Sequence, residues 1–363
     1  MVAMTVAIDV TGLTPDAFCF SPSPLAELGS VLHALVEPDH HPDQSGWLNA
    51  VRAELDPALL DRILDADYLW RTSRADTLLP ATPRPTLQQE LADWDEIDDE
   101  TWVRAALITS SCGSLAAHPE LGSPLTDDGA LALARDRASV RGTRQLAFVD
   151  MILADPARMR VRIAGLLQDC AIAFFDGLWA KIAVALTAEA RRRHDQLHAV
   201  GLAQTLGSIS TALRGSDRRV EVDKLQDSYT TARDGLTFIP SIFGRPHLLV
   251  VHTPGWRPVI QYPAATVPAL TSPATLDALQ QRLHALDHPV RLRIARSLIS
   301  GARTTTELAD AWQLTKPEIS RHVSILRDAG LITPNRDGRY VRHQLDIAAL
   351  ARIGGDTIDA LLR

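Results

Sequence analysis

The sequence predicts an α+β chain, mostly helical, in which an N-terminal helical domain with a small antiparallel sheet precedes two short helices and a β-hairpin. Three observations carry this. Apolar residues recur at helical spacing over long stretches before residue 216. β-Branched and aromatic runs broken by Gly and Pro follow, between about 218 and 263. After residue 303 come a capped helix, a tight turn, a second capped helix and an Asp-Gly hairpin.

In chain order, Phe18-Cys19-Phe20 reads as a short strand stopped by Ser21-Pro22-Ser23-Pro24, where Ser23 can cap a helix carrying Leu25, Leu28, Leu32 and Leu35. From Trp47 onward helix follows helix. Leu55, Leu59, Leu60, Ile63 and Leu64 form one stripe, and Trp102, Ala105, Ala106 and Ile108 begin another after the acidic run from Asp93 to Glu100, which reads as a solvated helix end. Pro156 to about Arg214 reads as one or two extended helices, with Phe174, Leu178, Ile182 and Leu186 on one face. Val220-Glu221-Val222, Leu236 to Pro240, Leu248 to Val251 and Val259 to Pro263 are the strands of the small antiparallel sheet. Pro263, Pro268 and Pro273 mark a linker. The expected organisation is a helical effector or oligomerisation domain over 1–216, its β-rich part over 217–265, a linker over 266–274 and a final domain over 275–363.

The final domain can be traced residue by residue. Thr304 with Glu307 forms a capping box, so a helix begins there, and Leu308 and Trp312 share a face. It stops at Gln313-Leu314. Thr315 caps the next helix, Pro317 falls in its first turn, Ile319, Val323 and Leu326 form a buried stripe, and Gly330 ends it. The opposite face carries Lys316, Glu318, Ser320, Arg321 and Ser324, short polar or charged groups suited to base edges and phosphates in a major groove. Leu331 to Arg336 and Arg339 to Leu345 flank Asp337-Gly338, the dipeptide that a two-residue type I′ turn favours. Arg336 and Arg339 bracket the tip of this wing, within reach of phosphate or minor groove. A helix-turn-helix followed by a wing points to double-stranded DNA as a partner.

The 275–345 stretch resembles the ArsR-type winged-helix repressors, in Leu286-Asp287-His288-Pro289-Val290-Arg291-Leu292-Arg293-Ile294, in Ser320-Arg321-His322 and in Arg336-Asp337-Gly338-Arg339. The resemblance implies a bacterial repressor that binds DNA as a homodimer, with helices around Leu276–Leu286 and Ile347–Leu362 at the two-fold interface. The candidate DNA-binding set is then Thr315, Lys316, Glu318, Ser320, Arg321, His322, Ser324, Arg336, Arg339 and Arg342. One departure from the family pattern matters. Metal-sensing members carry thiolates on the first helix of the motif or His and Asp on the last, whereas here the first helix has no Cys and no His follows the wing. No metal or other cofactor is therefore expected, and the signal must enter upstream. Residues 1–265 resemble an uncharacterised domain found ahead of ArsR-type winged helices in bacterial regulators, in Phe20 to Leu28 and Pro240 to Phe243.

Charge supports the division. Residues 275–363 hold 13 basic and 10 acidic residues, net +3, within a chain of net charge −7, so the remainder is acidic at −10 and unsuited to lie along phosphates. Only three basic residues are lysines, a bias typical of GC-rich bacterial genomes. Cys19, Cys112 and Cys170 form no CxxC pair, no uninterrupted apolar run reaches the length of a membrane span, and no leader pattern opens the chain. A cytoplasmic, nucleoid-associated protein without membrane contact is expected. No nucleophile elbow, phosphate loop or zinc-hydrolase motif is present, so no catalytic residue is expected; Gly113-Ser114 and Gly207-Ser208 read as helical or turn positions. His40-His41, with Asp43, could bind a metal, but adjacent imidazoles in a Pro-flanked loop point different ways and a solvated loop is the expected reading. Arg191-Arg192-Arg193-His194 reads as a solvated helix surface and the tryptophans as core. The functional expectation is a one-component regulator switched by a small organic effector. Control by a protein partner, or an enzyme carrying a DNA-binding tail, stand as alternatives.

Overall fold

Contacts divide the chain into two units, Met1–His41 with Leu55–Pro268, and Pro42–Glu54 with Ala269–Arg363. The structure, a computed structural model, describes residues 4–41, 44–71, 74–107, 121–224, 227–245, 247–251, 256–265, 276–299, 301–337, 340–351, 353 and 357. Cys112, Gly113-Ser114, Asp43, Ile108, Pro268, Pro273 and the expected linker over 266–274 lie outside them.

The first unit is built around helix α1, Pro24–Val36. Ser23 caps it by accepting from the Ala26 N–H at 3.0 Å, as its place before Pro24 predicts. Every residue from Pro24 to Leu35 is buried, including Glu27, Ser30 and His33. A helix buried on all sides must satisfy its polar side chains internally. Glu27 does so by accepting from the Ile242 and Phe243 N–H groups, each at 3.0 Å, and from the Ser241 hydroxyl at 2.5 Å. Burial pushes its carboxyl above the ordinary range, against the pull of those three donors and of Arg74. Gln261 donates to the Ala26 carbonyl and to Ser30, and Glu90 takes the Leu25 N–H at 2.7 Å, the Ser23 hydroxyl and the Arg84 N–H.

Two four-stranded mixed sheets flank this helix in the chain. One has the order β3-β4-β1-β5, from β1 Met4–Asp9, β3 Leu213–Gly215, β4 Arg219–Lys224 and β5 Ser228–Thr231. The other has the order β2-β6-β8-β7, from β2 Phe18–Phe20, β6 Leu236–Ser241, β7 Leu249–Val251 and β8 Val259–Pro263. The single antiparallel sheet expected between 218 and 263 is thus corrected. β2, β6 and β8 run parallel, and β1 enters the first sheet between β4 and β5. All six residues of β6 are buried, the mark of a strand covered on both faces as parallel strands are. Phe20 stacks on Phe238 at 4.7 Å, joining neighbouring strands, within or against a core that includes Ile8, Val220, Val222, Leu236 and Tyr262.

Helices supply the rest of the unit: α3 Pro57–Asp65, α4 Leu87–Ala92, α5 Asp99–Leu107, α6 Asp128–Arg141, α7 Thr143–Ala154, α8 Pro156–Cys170 and α9 Asp176–Gly207, with α2, Ser45–Glu54, assigned to the second unit. α8 and α9 run on through a π-helical turn, Ala171–Phe175. The extra residue of that turn rotates the stripe, so Phe175 and not Phe174 is buried in line with Leu178, Ile182 and Leu186. The run Pro156–Gly207 is long and apolar enough by composition to cross a membrane, and 33% of its most apolar window is buried in the fold. The tryptophans Trp70, Trp94 and Trp102 are core residues. Arg193 is buried against Glu189 at 2.7 Å, and Arg192 pairs with the same carboxylate, which corrects the expectation of a wholly solvated Arg191–His194 face.

In the second unit, α10 Leu276–Leu286, α11 Pro289–Ile299, α12 Thr305–Trp312, α13 Lys316–Asp328 and α14 Ile347–Ala351 surround a three-stranded sheet, β10-β11-β9. Its strands are β9 Arg303–Thr304, β10 Ile332–Asp337 and β11 Tyr340–Leu345. α2 packs against α14 here, although its sequence position lies inside the stretch read as the effector domain.

Two tests follow from the anchoring of α1. Glu27→Ala strands two buried N–H groups and is expected to cost about 2–4 kcal/mol of unfolding free energy in urea titration; a loss below about 0.5 kcal/mol would rule out the anchor. Burial raises the Glu90 carboxyl to about 7, outweighing its three donors. Its proton therefore stabilises the folded state fully below the ordinary carboxyl range, and that stabilisation is lost as the pH rises through about 7. The urea midpoint of the wild type relative to Glu90→Gln should fall between pH 5 and pH 8; a pH-independent difference would contradict it.

Candidate nucleic-acid interface

Local sequence sets the geometry of the α12–α13 pair. Thr304 caps α12 and Glu307 reaches back to the Thr304 N–H at 2.6 Å, completing a capping box. The turn closes on Gln313, which takes the left-handed conformation at φ 53°. Thr315 then caps α13 with a second capping box, its N–H and hydroxyl bonded to the Glu318 carboxylate at 2.9 and 2.7 Å. Pro317 lies in the first turn and Gly330, at φ 68°, ends the helix, as expected from the sequence.

The buried face of α13, Ile319, Val323 and Leu326, packs in one cluster with Ile294, Leu298, Leu308, Leu331 and Leu345. Arg291, from the Pro-x-Arg segment, is buried too. Its guanidinium donates to the Ala285 and His284 carbonyls at 2.6 and 2.7 Å, satisfying the C-terminal end of α10 and fixing the α10–α11 corner. Trp312 donates to Ser297 at 3.1 Å, and Arg293 lies over its ring. The helix pair is therefore held by apolar packing and by polar bonds at both ends.

Of the expected DNA-facing set, Lys316, Ser320 and Arg321 are exposed on α13, and Arg336 is exposed on the wing. Thr315 and Glu318 are exposed but bonded to each other in the capping box, so Glu318 serves the helix end where the sequence reading gave it to DNA. The Thr-x-x-Glu spacing, repeated from 304–307, was the signal for this. Ser324 is half-buried and accepts from Arg327 at 2.7 Å. His322 is half-buried beside His288, ring centroids 4.8 Å apart, and burial followed by the His288 neighbour lowers its pKa.

Strand pairing separates the wing arginines. Arg336 faces Val341 and Asn335 faces Arg342 across the hairpin, so Arg336 and Arg342 project from opposite faces. Arg342 turns inward, donating to the Ala302 carbonyl at 3.3 Å with Glu307 at 3.8 Å, which ties the wing to the start of α12. It was expected on DNA. Arg339 and Gly338 lie outside the described residues. Among the helices expected at a dimer interface, Leu279 is buried while Leu283 on α10 and Ile347 on α14 are exposed, together with Leu292 and Ile299 on α11; Ile358, Leu361 and Leu362 lie outside the described residues.

The upstream unit holds a cluster whose other members, His33 and His247, carry no signal in the sequence. His40 and His41 do not form a solvated loop: His41 is buried, and both rings lie within 6.5 Å of each other and of His33 and His247, centroid to centroid. Adjacent imidazoles converge because the Pro38–His40 turn folds them back on the end of α1. A separate cleft of about 240 Å³ is bounded by Asp67, Tyr68, Arg71, Arg141 and Gln145, and a more open groove of about 660 Å³ runs along Ala183 to Asp195.

Residues 4–268 match a family of unknown function (DUF5937), and residues 286–335 match a helix-turn-helix domain. The chain is 39% identical over 93 residues to the HTH-type transcriptional repressor SmtB of Mycobacterium tuberculosis, a match covering 26% of this chain and 69% of that protein. It is 36% identical over 93 residues to the HTH-type transcriptional regulator CmtR of Mycobacterium bovis, covering 26% and 79%. A solved structure of a possible transcriptional regulator for arsenical resistance is 32% identical, with a TM-score of 0.20, over 24% of this chain and 88% of that one. The match over most of its length and the relatives of its last part make this chain a member of the DUF5937 family that carries an ArsR-type winged helix.

Proposed function

We propose that the protein is a one-component bacterial transcription regulator, a repressor, that binds an inverted-repeat operator as a homodimer. The observation that carries this is the doubly capped α13, packed on one face and presenting Lys316, Ser320 and Arg321 on the other, beside a wing that presents Arg336. Such a helix fits a major groove, where Arg321 can read a guanine edge while Lys316 and the wing arginines, Arg339 included, hold phosphates. SmtB is named a transcriptional repressor, which supports the sign of regulation. A dimer is favoured because one such helix reads a half-site, and because Leu283, Leu292, Ile299 and Ile347 leave apolar side chains exposed on this unit.

The acidic upstream unit is the sensor in this reading, and it acts by favouring one of two arrangements of the paired winged helices. α2 offers a physical route, since it leaves the chain of the upstream unit and packs against α14. The protein works in the cytoplasm, on the nucleoid, and catalyses no reaction. A second reading, control by a protein partner, draws on Val161, Ile172 and Val184, apolar side chains exposed along the 156–207 helix.

Gel-shift titration on the DNA upstream of its own gene tests the docking. Arg321→Ala is expected to weaken operator binding by about 10-fold or more and to relax sequence preference. Arg336→Ala and Arg339→Ala should each weaken binding to all sequences alike and lower the salt slope by about one. Unchanged affinity in all three variants would overturn the proposal.

A further inference from the structure

The four histidines at the end of α1 come from separate places in the chain: His33 from α1, His40 and His41 from the turn after it, and His247 from the segment before β7. One ring nitrogen each of His33, His40 and His247 lies within 4.8 Å of the others. The His41 ring stands 5.2 Å from that of His33 and 6.0 Å from that of His247. His33 is buried to 2% exposure, and its Nδ1 lies 2.8 Å from the Trp70 carbonyl. A carbonyl only accepts, so Nδ1 carries the proton and the lone pair sits on Nε2. That is the arrangement by which a backbone carbonyl orients a metal-ligating histidine.

His33 Nε2 and His247 Nε2 are both buried without a hydrogen-bond partner among the described residues. Burial, and next the charge of Arg74, hold His33 down to about 3 and His41 to about 4, and the same two causes lower His247. Nitrogens of His33, His40 and His247 thus converge on one shared space, with the His41 ring packed beside it. Arg74 and Lys224 are cations whose charge acts on His247, and the buried Glu27 offsets Arg74. Imidazoles without thiolates suit the borderline late first-row ions, and a tetrahedral set of Zn–N bonds of about 2.0–2.1 Å needs nitrogens about 3.3 Å apart. His40 is exposed and has room to close that distance.

We infer that His33, His40 and His247, with His41 packed beside them, bind one divalent transition-metal ion of the zinc type, and that this ion is the signal of the regulator. The first part stands on the histidine geometry; the second rests on the function proposed above, and replaces an organic effector with a metal. It follows from where the chain goes next. His41 leads within a few residues into α2, which packs against α14 of the winged-helix unit. An ion gripping His40 pins the stretch of chain that leads into α2. These ligands lie outside the winged helix altogether.

The full-length protein, stripped with a chelator, is titrated with Co²⁺ and Zn²⁺, and operator affinity is measured with and without Zn²⁺. One equivalent of Co²⁺ should produce the visible absorption of a tetrahedral site, displaced by Zn²⁺. His33→Ala and His247→Ala should abolish it, and so should His40→Ala, whose exposed side chain can be removed without disturbing the core. His198→Ala, on α9, should leave it intact. Absence of the band, its survival in His40→Ala and His247→Ala, or binding of inorganic phosphate in place of the metal would overturn the site. Zn²⁺ should shift operator affinity about 10-fold in the wild type and not in His40→Ala. Metal binding without that shift overturns the signalling role and leaves the site standing. Failure to bind DNA in either state overturns the function proposed above, and the cobalt titration still decides the site.

Discussion

The buried carboxylate of Glu27 is the constraint on which the first unit turns. A helix as apolar as α1 would pack in many orientations, but a carboxylate inside it can be buried only where donors meet it. Those donors are the Ser241 hydroxyl and the Ile242 and Phe243 N–H groups, at the end of β6. Helix and sheet are thereby locked in register, and Ser30 with Gln261 repeats the lock one turn further on. His33 lies on the same helix, so its place in the histidine cluster is inherited from that anchor. Arg74 links the two, as counter-charge to Glu27 and as the cation that, after burial, lowers the pKa of His33, His41 and His247.

The second unit uses a different economy of polar groups. Its side chains divide into those that make the helices and those left for a partner. Glu307, Glu318, Thr304 and Thr315 close helix ends, Arg291 closes the α10 corner, and Arg342 ties the wing to α12. Lys316, Ser320, Arg321 and Arg336 remain exposed. A reader domain needs this division, because a side chain held by its own fold must give up that bond before it can meet a base or phosphate. The polar residues of α13 are chemically alike in the sequence, and their roles differ only through what lies within hydrogen-bond reach.

Local signals were legible wherever the physics is local. The caps at Ser23, Thr304 and Thr315, the αL ending at Gly330 and the stripe Ile319, Val323 and Leu326 depend on residues three or four apart, and the structure places them as expected. Sheet topology was not legible. β1 and β2 pair with strands more than 200 residues away, and a parallel partner leaves no turn signature between the two. A 3.6-residue period carried through the segment puts Phe174 on the face of Leu178 and Ile182, but the π-turn adds one residue and moves the face to Phe175.

The histidines mark the boundary most clearly. His40-His41 in isolation look like a solvated pair, since neighbouring side chains diverge in an extended loop. His33 and His247 are far from them in sequence and carry no shared spacing. By itself the sequence determined the helix-turn-helix, its wing, and the absence of the usual metal ligands there, because each follows from short-range periodicity and residue type. Tertiary structure alone decided which polar groups of α13 stay exposed, how the upstream strands pair, and that four imidazoles meet, because each depends on backbone segments brought together by a buried helix and its carboxylate.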